Sequence, residues 1–173
     1  LRVKALPFVQ ERDTALDLGA GALNDSIYLL SEKFAHVIAV DRESVAEEIA
    51  KELPSERFTY TISSLEDFSF STKAADLINA QYALPFIQPN KFEDVWKNIG
   101  DVLKIGGVFT GQLFGDRDEW STSNNMTFHT EDNARRLLAS FEILDFEEEE
   151  ADKPTAAGIM KHWHVFHFIA KKI

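Results

Sequence analysis

Short apolar runs alternate along this chain with longer segments in which apolar residues recur at helical spacing. The first five runs are TALDL (14–18), HVIAVD (36–41), FTYTI (58–62), ADLINA (75–80) and VFTGQLF (108–114). Each has the length of a buried strand. Strands that alternate with helices in this way predict an α/β fold, with a mostly parallel sheet covered by helices.

Apolar spacing also predicts where the helices lie. A stripe between Pro89 and Gly106 indicates an amphipathic helix that ends at a glycine turn before the fifth strand. Thr130 is a typical N-cap for a further helix. Two earlier helices are predicted from the apolar faces Leu23, Ile27, Leu30, Phe34 and Val45, Ile49, Leu53.

The end of the chain predicts two more strands, FEILDFEEE (141–149) and HWHVFHFIAKK (162–172). The segment ADKPTAAGI (151–159) between them has the length and the Pro and Gly content of a hairpin connection. The sequence therefore predicts seven strands, with an antiparallel last strand. At 173 residues, we expect residues 1–173 to form a single domain.

Composition narrows the class of protein. The chain has no cysteine, which excludes disulfides, a thiol nucleophile and a cysteine zinc site. No apolar run approaches the roughly 20 residues of a membrane span, and we expect a cytoplasmic protein. The net charge of −11 disfavours a nucleic-acid partner. The acidic run Glu147 to Glu150 is interpreted as a solvated strand end.

The stretch ALDLGAGALNDS (15–26) carries the first candidate chemistry. A buried strand ends there, and the glycine turn and helix that follow form a ligand crevice at the sheet edge. A dinucleotide-binding loop of the form G-x-G-x-x-G would need a glycine at position 24, but this chain has Asn24 there. Asp17 repels a pyrophosphate but suits an ammonium group, directly or through water, and Asp41 suits the hydroxyls of a ribose. The spacing favours an adenosine cofactor with an amino-acid moiety.

These motifs resemble the class I S-adenosylmethionine-dependent methyltransferases. DLGAG is similar to their first motif, and VIAVD to their second strand with its ribose-binding acid. SSLEDFSF (63–70), ADLINAQYAL (75–84) and LKIGGVF (103–109) follow in the family's order. The resemblance implies a doubly wound Rossmann-like sheet with helices on both faces, S-adenosylmethionine as cofactor, S-adenosylhomocysteine as product, and in-line transfer of a methyl group.

The resemblance also implies a set of cofactor-binding residues. They are Asp17, Gly19, Ala20 and Gly21 around the methionine half, Asp41 at the ribose, Arg42, Ser64 and Leu65 at the adenine, and Ala80, Gln81 and Tyr82 after the fourth strand. Two positions depart from the family pattern: Leu23 replaces a third glycine, where we expect it to pack the helix, and Ile105 replaces a proline. In this family, residues upstream often form a lid, which we expect before Leu1.

Three residues are candidates for catalysis. The resemblance places Tyr82 beside the transferred methyl group. His129 and His162 are possible bases for an acceptor that must lose a proton. His162 with His164 has a spacing that can seat a metal, but no third ligand accompanies them, so we expect no metal site. Trp163 and the segment with Trp120 and Phe128 are expected near an acceptor pocket.

Two alternatives of other classes remain at this point. One is an NAD-type oxidoreductase, which would need glycine at position 24 and a longer chain. The other is a non-catalytic nucleotide-binding module of the same fold. Within methyltransferases, the N/D-P-P-Y/F/W signature of enzymes that act on amide or adenine nitrogens is replaced by AQYALPF. The chain thus resembles the small-molecule group that includes ubiquinone-biosynthesis and tellurite-resistance methyltransferases, and a small-molecule acceptor is expected.

Overall fold

A computed structural model of the protein describes residues 2–70 and 74–173. The helices are α1 (Arg2–Ala5), α2 (Asn24–Ser31), α3 (Glu47–Lys51), α4 (Pro89–Val102) and α5 (Glu131–Leu137). The strands are β1 (Thr14–Leu18), β2 (His36–Asp41), β3 (Phe58–Ile62), β4 (Ala75–Ala80), β5 (Leu103–Gly115), β6 (Phe128–His129), β7 (Phe141–Pro154) and β8 (Met160–Lys172). Short 3₁₀ turns cover Leu6–Phe8 and Leu84–Phe86.

The described strands form one sheet of eight, in the order β3-β2-β1-β4-β5-β8-β7, with β6 paired to β5. The pairs from β3 to β5 are parallel, whereas β8 runs antiparallel to both of its neighbours. The predicted doubly wound, mostly parallel sheet with an antiparallel last strand is confirmed. The strand beyond the predicted seven is β6, two residues in the segment after β5 for which no strand was predicted.

The strand order reverses at β1, which pairs with β2 on one side and β4 on the other. Asp17 lies opposite Ala39 of β2 and Asn79 of β4 in the register. The carboxyl ends of these three strands therefore meet at one edge of the sheet. In open α/β sheets, this reversal point is where ligands bind.

Helices cover both faces of the sheet, as predicted. On one face, α4 buries its apolar stripe against β5 and β8, through Phe92, Val95 and Ile99. On the other face, α2 packs Leu29 and Leu30 against β1, β2 and β4. Burial on both faces explains why β1 and β4 are buried along their whole length.

The prediction for α3 is wrong about which residues this helix buries. Val45 is 74% exposed and Ile49 is 42% exposed. Instead, Ala46, Ala50 and Leu53 pack towards the sheet, at the i, i+4, i+7 spacing that aligns side chains on one helix face. The helix therefore presents small residues to the core, and it is only five residues long.

The last two strands form a longer hairpin than predicted. The β7–β8 pairing runs from Phe141 opposite Lys172 to Pro154 opposite Met160. The far end of this hairpin reaches the edge of the sheet where β1 and β4 end. None of the helices that the structure describes combines the length and the apolar character required to cross a bilayer.

Candidate functional site

The glycine loop after β1 is held by backbone hydrogen bonds from β2. The backbone N–H groups of Gly19 and Ala20 both donate to the carbonyl oxygen of Val40, at 2.8 and 3.0 Å. Gly19 has a φ of +72°, and a Cβ atom there would lie 2.4 Å from the Cβ of Ala83. Only glycine fits this position, so the loop can approach both β2 and the segment after β4.

Leu23 ends this loop and begins α2. Its side chain is fully buried, which confirms the packing role expected from the sequence. Its φ of +62° is left-handed, a conformation that glycine adopts without steric cost. The missing third glycine thus leaves the loop geometry in place, because Leu23 itself takes the conformation that a glycine would take.

Asp17 lies at the centre of a buried hydrogen-bond network. It is 1% exposed, and its carboxylate accepts from Ser26 Oγ at 2.6 Å and from Asn79 Nδ2 at 2.8 Å. Asn79 Nδ2 also donates to Asp25 Oδ2 at 2.9 Å. The carboxylate of Asp17 therefore links the end of β1 to α2 and β4.

The same network continues to Tyr82 through side-chain amides. Gln81 Nε2 donates to Asn79 Oδ1 at 2.8 Å, and Gln112 Nε2 donates to Gln81 Oε1 at 2.9 Å. Gln112 Oε1 in turn accepts the backbone N–H of Tyr82 at 2.8 Å. Asn79 and Gln112 were not predicted from the sequence. The signal for each is a polar residue inside an otherwise apolar strand.

A cavity of about 290 Å³ lies over the glycine loop, at the ends of β1, β2 and β4. Seven of the eleven cofactor-binding residues expected from the sequence line it: Gly19, Gly21, Asp41, Arg42, Ser64, Leu65 and Tyr82. The other four, Asp17, Ala20, Ala80 and Gln81, do not line it. Of these, Asp17, Ala20 and Ala80 are buried, and Gln81 belongs to the amide network.

Asp41 is held in a fixed orientation at this cavity. Its Oδ2 accepts the backbone N–H of Gly21 at 2.7 Å, and its Oδ1 accepts that of Glu43 at 2.9 Å. An ionised carboxylate has about four lone-pair sites, so both oxygens can accept further hydrogen bonds from a ligand. Nearby, Ser64 Oγ donates to Asp67 Oδ2 at 2.8 Å.

A second cavity, of about 810 Å³, adjoins the first. Tyr82 and Phe86 line both cavities, so these two rings form their common boundary. The second cavity is also lined by Phe114, by Trp120 and Trp163, and by the end of the β7–β8 hairpin. The structure thus brings the expected pocket residues Trp120 and Trp163 together, whereas Phe128 does not line the cavity.

The two histidines proposed as bases lie outside the linings of both cavities. His129 is buried, with its ring centroid 4.8 Å from that of Phe92, and burial lowers its pKa to about 4. Its Nε2 has no hydrogen-bond partner in the part of the chain that the structure describes. His162 is exposed, and hydrogen bonds to Asp152 and Glu150 raise its pKa.

His164 belongs to an ion-paired cluster on the hairpin with Glu148 and Glu150. The guanidinium of Arg117 donates to Glu148 at 2.6 Å and to Glu150 at 2.8 Å. His164 Nδ1 accepts the backbone N–H of Arg117 at 3.1 Å, which leaves Nε2 to donate to Glu148 at 2.8 Å. Arg117 therefore supplies the positive charge at these carboxylates, and its hydrogen bonds lower the pKa of Glu150 to about 2.

Comparison of the fold with solved structures gives similar proteins at low sequence identity. TehB from Haemophilus influenzae superposes with a TM-score of 0.81 at 16% identity, covering 99% of this chain and 61% of TehB. The 1,6-didemethyltoxoflavin-N1-methyltransferase of Burkholderia thailandensis, solved with S-adenosylhomocysteine, gives 0.73 at 20% identity, covering 98% and 75%. The N-methyltransferase NodS of Bradyrhizobium japonicum WM9, also solved with S-adenosylhomocysteine, gives 0.71 at 13%, covering 98% and 84%.

Sequence comparisons identify the family. None of the curated protein sequences matches the chain. The sequence profile of the methyltransferase domain family matches residues 15–107, which run from β1 to the glycine turn in β5 and make up more than half of the chain. This segment holds the glycine loop, Asp41, Ser64 and Tyr82. The chain therefore belongs to the methyltransferase domain family, and the resemblance to class I S-adenosylmethionine-dependent methyltransferases is confirmed.

Proposed function

We propose that residues 1–173 form a single domain that transfers a methyl group from S-adenosylmethionine to a small-molecule acceptor. The observation that carries this proposal is the pairing of two cavities across Tyr82 and Phe86. One cavity has the glycine loop and the ribose-type acid Asp41, and the other is large and apolar. A cofactor and an acceptor held in this way meet at the common boundary.

The first cavity suits an adenosine cofactor with an amino-acid end. The absence of a side chain at Gly19 and Gly21 leaves room for close approach, since a Cβ atom on Gly21 would meet nothing within 4 Å. Asp41 faces this space as a fixed acceptor for ribose hydroxyls. Asp17 supports the loop through Ser26 and Asn79, a positioning role that replaces direct contact with the ligand.

Methyl transfer from a sulfonium requires the protein mainly to position the acceptor. S-adenosylmethionine supplies an electrophilic methyl group on a sulfonium. The residues of the chain align the acceptor with that group and exclude water, which can supply much of the rate in a displacement that neutralises charge. Tyr82 is the residue we assign to this boundary, because it lines both cavities and its backbone N–H is held by Gln112.

Calorimetric titration tests the cofactor assignment. We expect S-adenosylhomocysteine to bind and NAD not to bind. Asp41→Asn removes the charge but keeps the shape, and we expect at least about tenfold weaker binding, since hydrogen bonds to charged groups contribute about 1.5–3 kcal/mol.

The matched control is Asp101→Asn, because Asp101 is an exposed carboxylate on α4 that pairs with Lys97 and lines neither cavity. It should leave the affinity unchanged. Binding of NAD without binding of S-adenosylhomocysteine would overturn the proposal in favour of an oxidoreductase or a nucleotide-binding module.

A further inference from the structure

The second cavity has aromatic walls. Five aromatic side chains line it: Tyr82, Phe86, Phe114, Trp120 and Trp163. Trp120 and Trp163 lie 5.6 Å apart between ring centroids, and Trp163 lies 5.7 Å from Phe114. Its volume of about 810 Å³ falls in the range of small-molecule pockets. Walls of this kind favour a planar ligand over a compact inorganic ion.

A buried lysine occupies the centre of this aromatic cluster. The Nζ atom of Lys161 lies 3.8 Å from the ring centroid of Trp163, 4.3 Å from that of Trp120 and 5.3 Å from that of Phe114. These distances are within the range of cation–π attraction. The side chain is 1% exposed. The rings that would otherwise attract an organic cation are therefore already engaged by a cation of the protein.

The charge of Lys161 is balanced from within the chain. Its Nζ donates to both carboxylate oxygens of Asp118 at 2.5 Å, and Asp118 also accepts the backbone N–H groups of Trp120 and His164. A third contact joins Nζ to the carbonyl oxygen of His162 at 3.3 Å. The donors of Lys161 are thus in use, which leaves little to offer an anionic ligand.

Two of the other charged groups at this cavity, Glu149 and Lys153, pair with each other. Glu149 accepts from Lys153 at 2.5 Å and contacts His167 at 3.2 Å. Glu119 is exposed and accepts the backbone N–H of His162 at 2.9 Å. An anionic ligand would lose its hydration at this cavity without gaining an unpaired cationic partner, because both lysines are already paired.

We propose that the methyl acceptor is a flat, uncharged, conjugated molecule, and that the buried pair of Lys161 and Asp118 excludes organic cations of the same shape. This inference rests on the proposed function, because it assigns the second cavity to the acceptor. It makes Lys161 a specificity-determining residue that acts by occupying the rings of Trp120 and Trp163.

Three naphthalene probes substituted at the same position test the proposal: neutral 2-naphthol, cationic 2-naphthylmethylammonium and anionic 2-naphthoate. Their affinities are measured by calorimetry at pH 7 on the full chain saturated with S-adenosylhomocysteine. We expect 2-naphthol to bind about tenfold more tightly than either charged probe.

The variant Lys161→Met/Asp118→Asn removes both charges together, so that no unpaired buried charge remains to unfold the protein. It frees the rings, and we expect the cationic probe to gain about tenfold in affinity while 2-naphthol changes little. Lys153→Met/Glu149→Gln is the matched control, because it also removes both charges of an ion pair at the same cavity but frees no ring. It should give a much smaller gain.

Each outcome decides between the two proposals. Absence of S-adenosylhomocysteine binding counts against the proposed function. If that ligand binds but 2-naphthol does not, or if a charged probe binds as tightly as 2-naphthol, the acceptor class is wrong. An equal gain for the cationic probe in Lys153→Met/Glu149→Gln would show that the loss of any ion pair at the cavity, and not the freed rings, sets the selectivity.

Discussion

At Leu23, two opposing contributions to stability meet in one residue. A left-handed backbone costs a non-glycine residue about 1–2 kcal/mol. A fully buried leucine contributes more than this, since truncation of such a side chain to alanine costs about 2–5 kcal/mol. Packing therefore outweighs backbone strain. Leu23 departs from the glycine pattern of the family, and its buried side chain anchors α2.

His129 makes stability depend on pH. Burial lowers its pKa from 6.5 to about 4, so the unfolded chain binds the proton more tightly than the folded chain between these values. Stability should therefore fall as the pH decreases from 6.5 to about 4, by up to roughly 3 kcal/mol for this group. His129→Phe keeps an aromatic ring beside Phe92 and removes this loss. Urea denaturation at pH 7 and pH 4 for both proteins measures the difference.

His162 provides a control of opposite sign. Its raised pKa means that the folded state binds the proton more tightly, so its contribution is present below pH 6.5 and disappears as the pH rises through its folded pKa. His162→Gln should therefore lower stability at acid pH relative to the parent, where His129→Phe raises it. Equal pH profiles for the parent and His129→Phe would contradict the assignment.

At the scale of elements, the amide network couples β4 to β5 and fixes Tyr82. Tyr82 has a left-handed φ of +53°, and its N–H is held by Gln112 of β5. Gln112→Leu leaves this N–H and the amide oxygen of Gln81 without their partner. We expect a stability loss of about 1–3 kcal/mol and, under the proposed function, weaker binding of S-adenosylhomocysteine, because Tyr82 lines the first cavity. Thermal denaturation and calorimetry measure the two effects.

The matched control for Gln112→Leu lies on the same strand. Thr110 is fully buried, and among the described residues its Oγ1 has no hydrogen-bond partner. Thr110→Val replaces this hydroxyl by a methyl group of similar size, so it should be neutral or stabilising and should leave binding unchanged. If Gln112→Leu behaves like Thr110→Val, the network has no positioning role.

Elements with a clear apolar period were predictable from the sequence. The stripe of α4 and the N-cap Thr130, whose Oγ1 accepts the backbone N–H of Asn133 at 3.2 Å, were both as expected. The face of α3 was not, because Val45 and Ile49 are the larger residues but Ala46 and Ala50 are on the packed side. In so short a helix, tertiary packing and not hydrophobicity sets the orientation.

The first cavity was more predictable from the sequence than the second, for a physical reason. The glycine loop is local, and the acids around it are fixed by strand ends that the alternation of elements already orders. Lys161 and Asp118 are 43 residues apart in the sequence, and nothing local to either residue indicates that they pair. The first cavity is built largely from residues close together in the sequence, whereas the second depends on contacts between distant residues. Only the three-dimensional structure reveals such contacts.

For the molecule as a whole, charge provides a last prediction. The net charge is −11, and the first cavity is lined by three acids, Asp41, Glu43 and Glu66, against one basic residue, Arg42. A polyanion that approaches the common boundary meets negative potential, whereas a small neutral molecule does not. We therefore expect neither duplex DNA nor tRNA to bind, even at about 50 mM salt, where binding through phosphates is strongest.

Gel-shift titrations and transfer of a radiolabelled methyl group test this expectation directly. Charge reversal at three acids that line the cavities, Glu43→Lys, Glu66→Lys and Glu119→Lys, should create weak binding to duplex DNA that is lost as salt increases, because each new lysine can release counterions from the nucleic acid. Binding of tRNA by the unchanged chain, or methyl incorporation into it, would move the acceptor from a small molecule to a nucleic acid. Such a result would also require a route past Tyr82 and Phe86 that avoids the acidic lining of the first cavity.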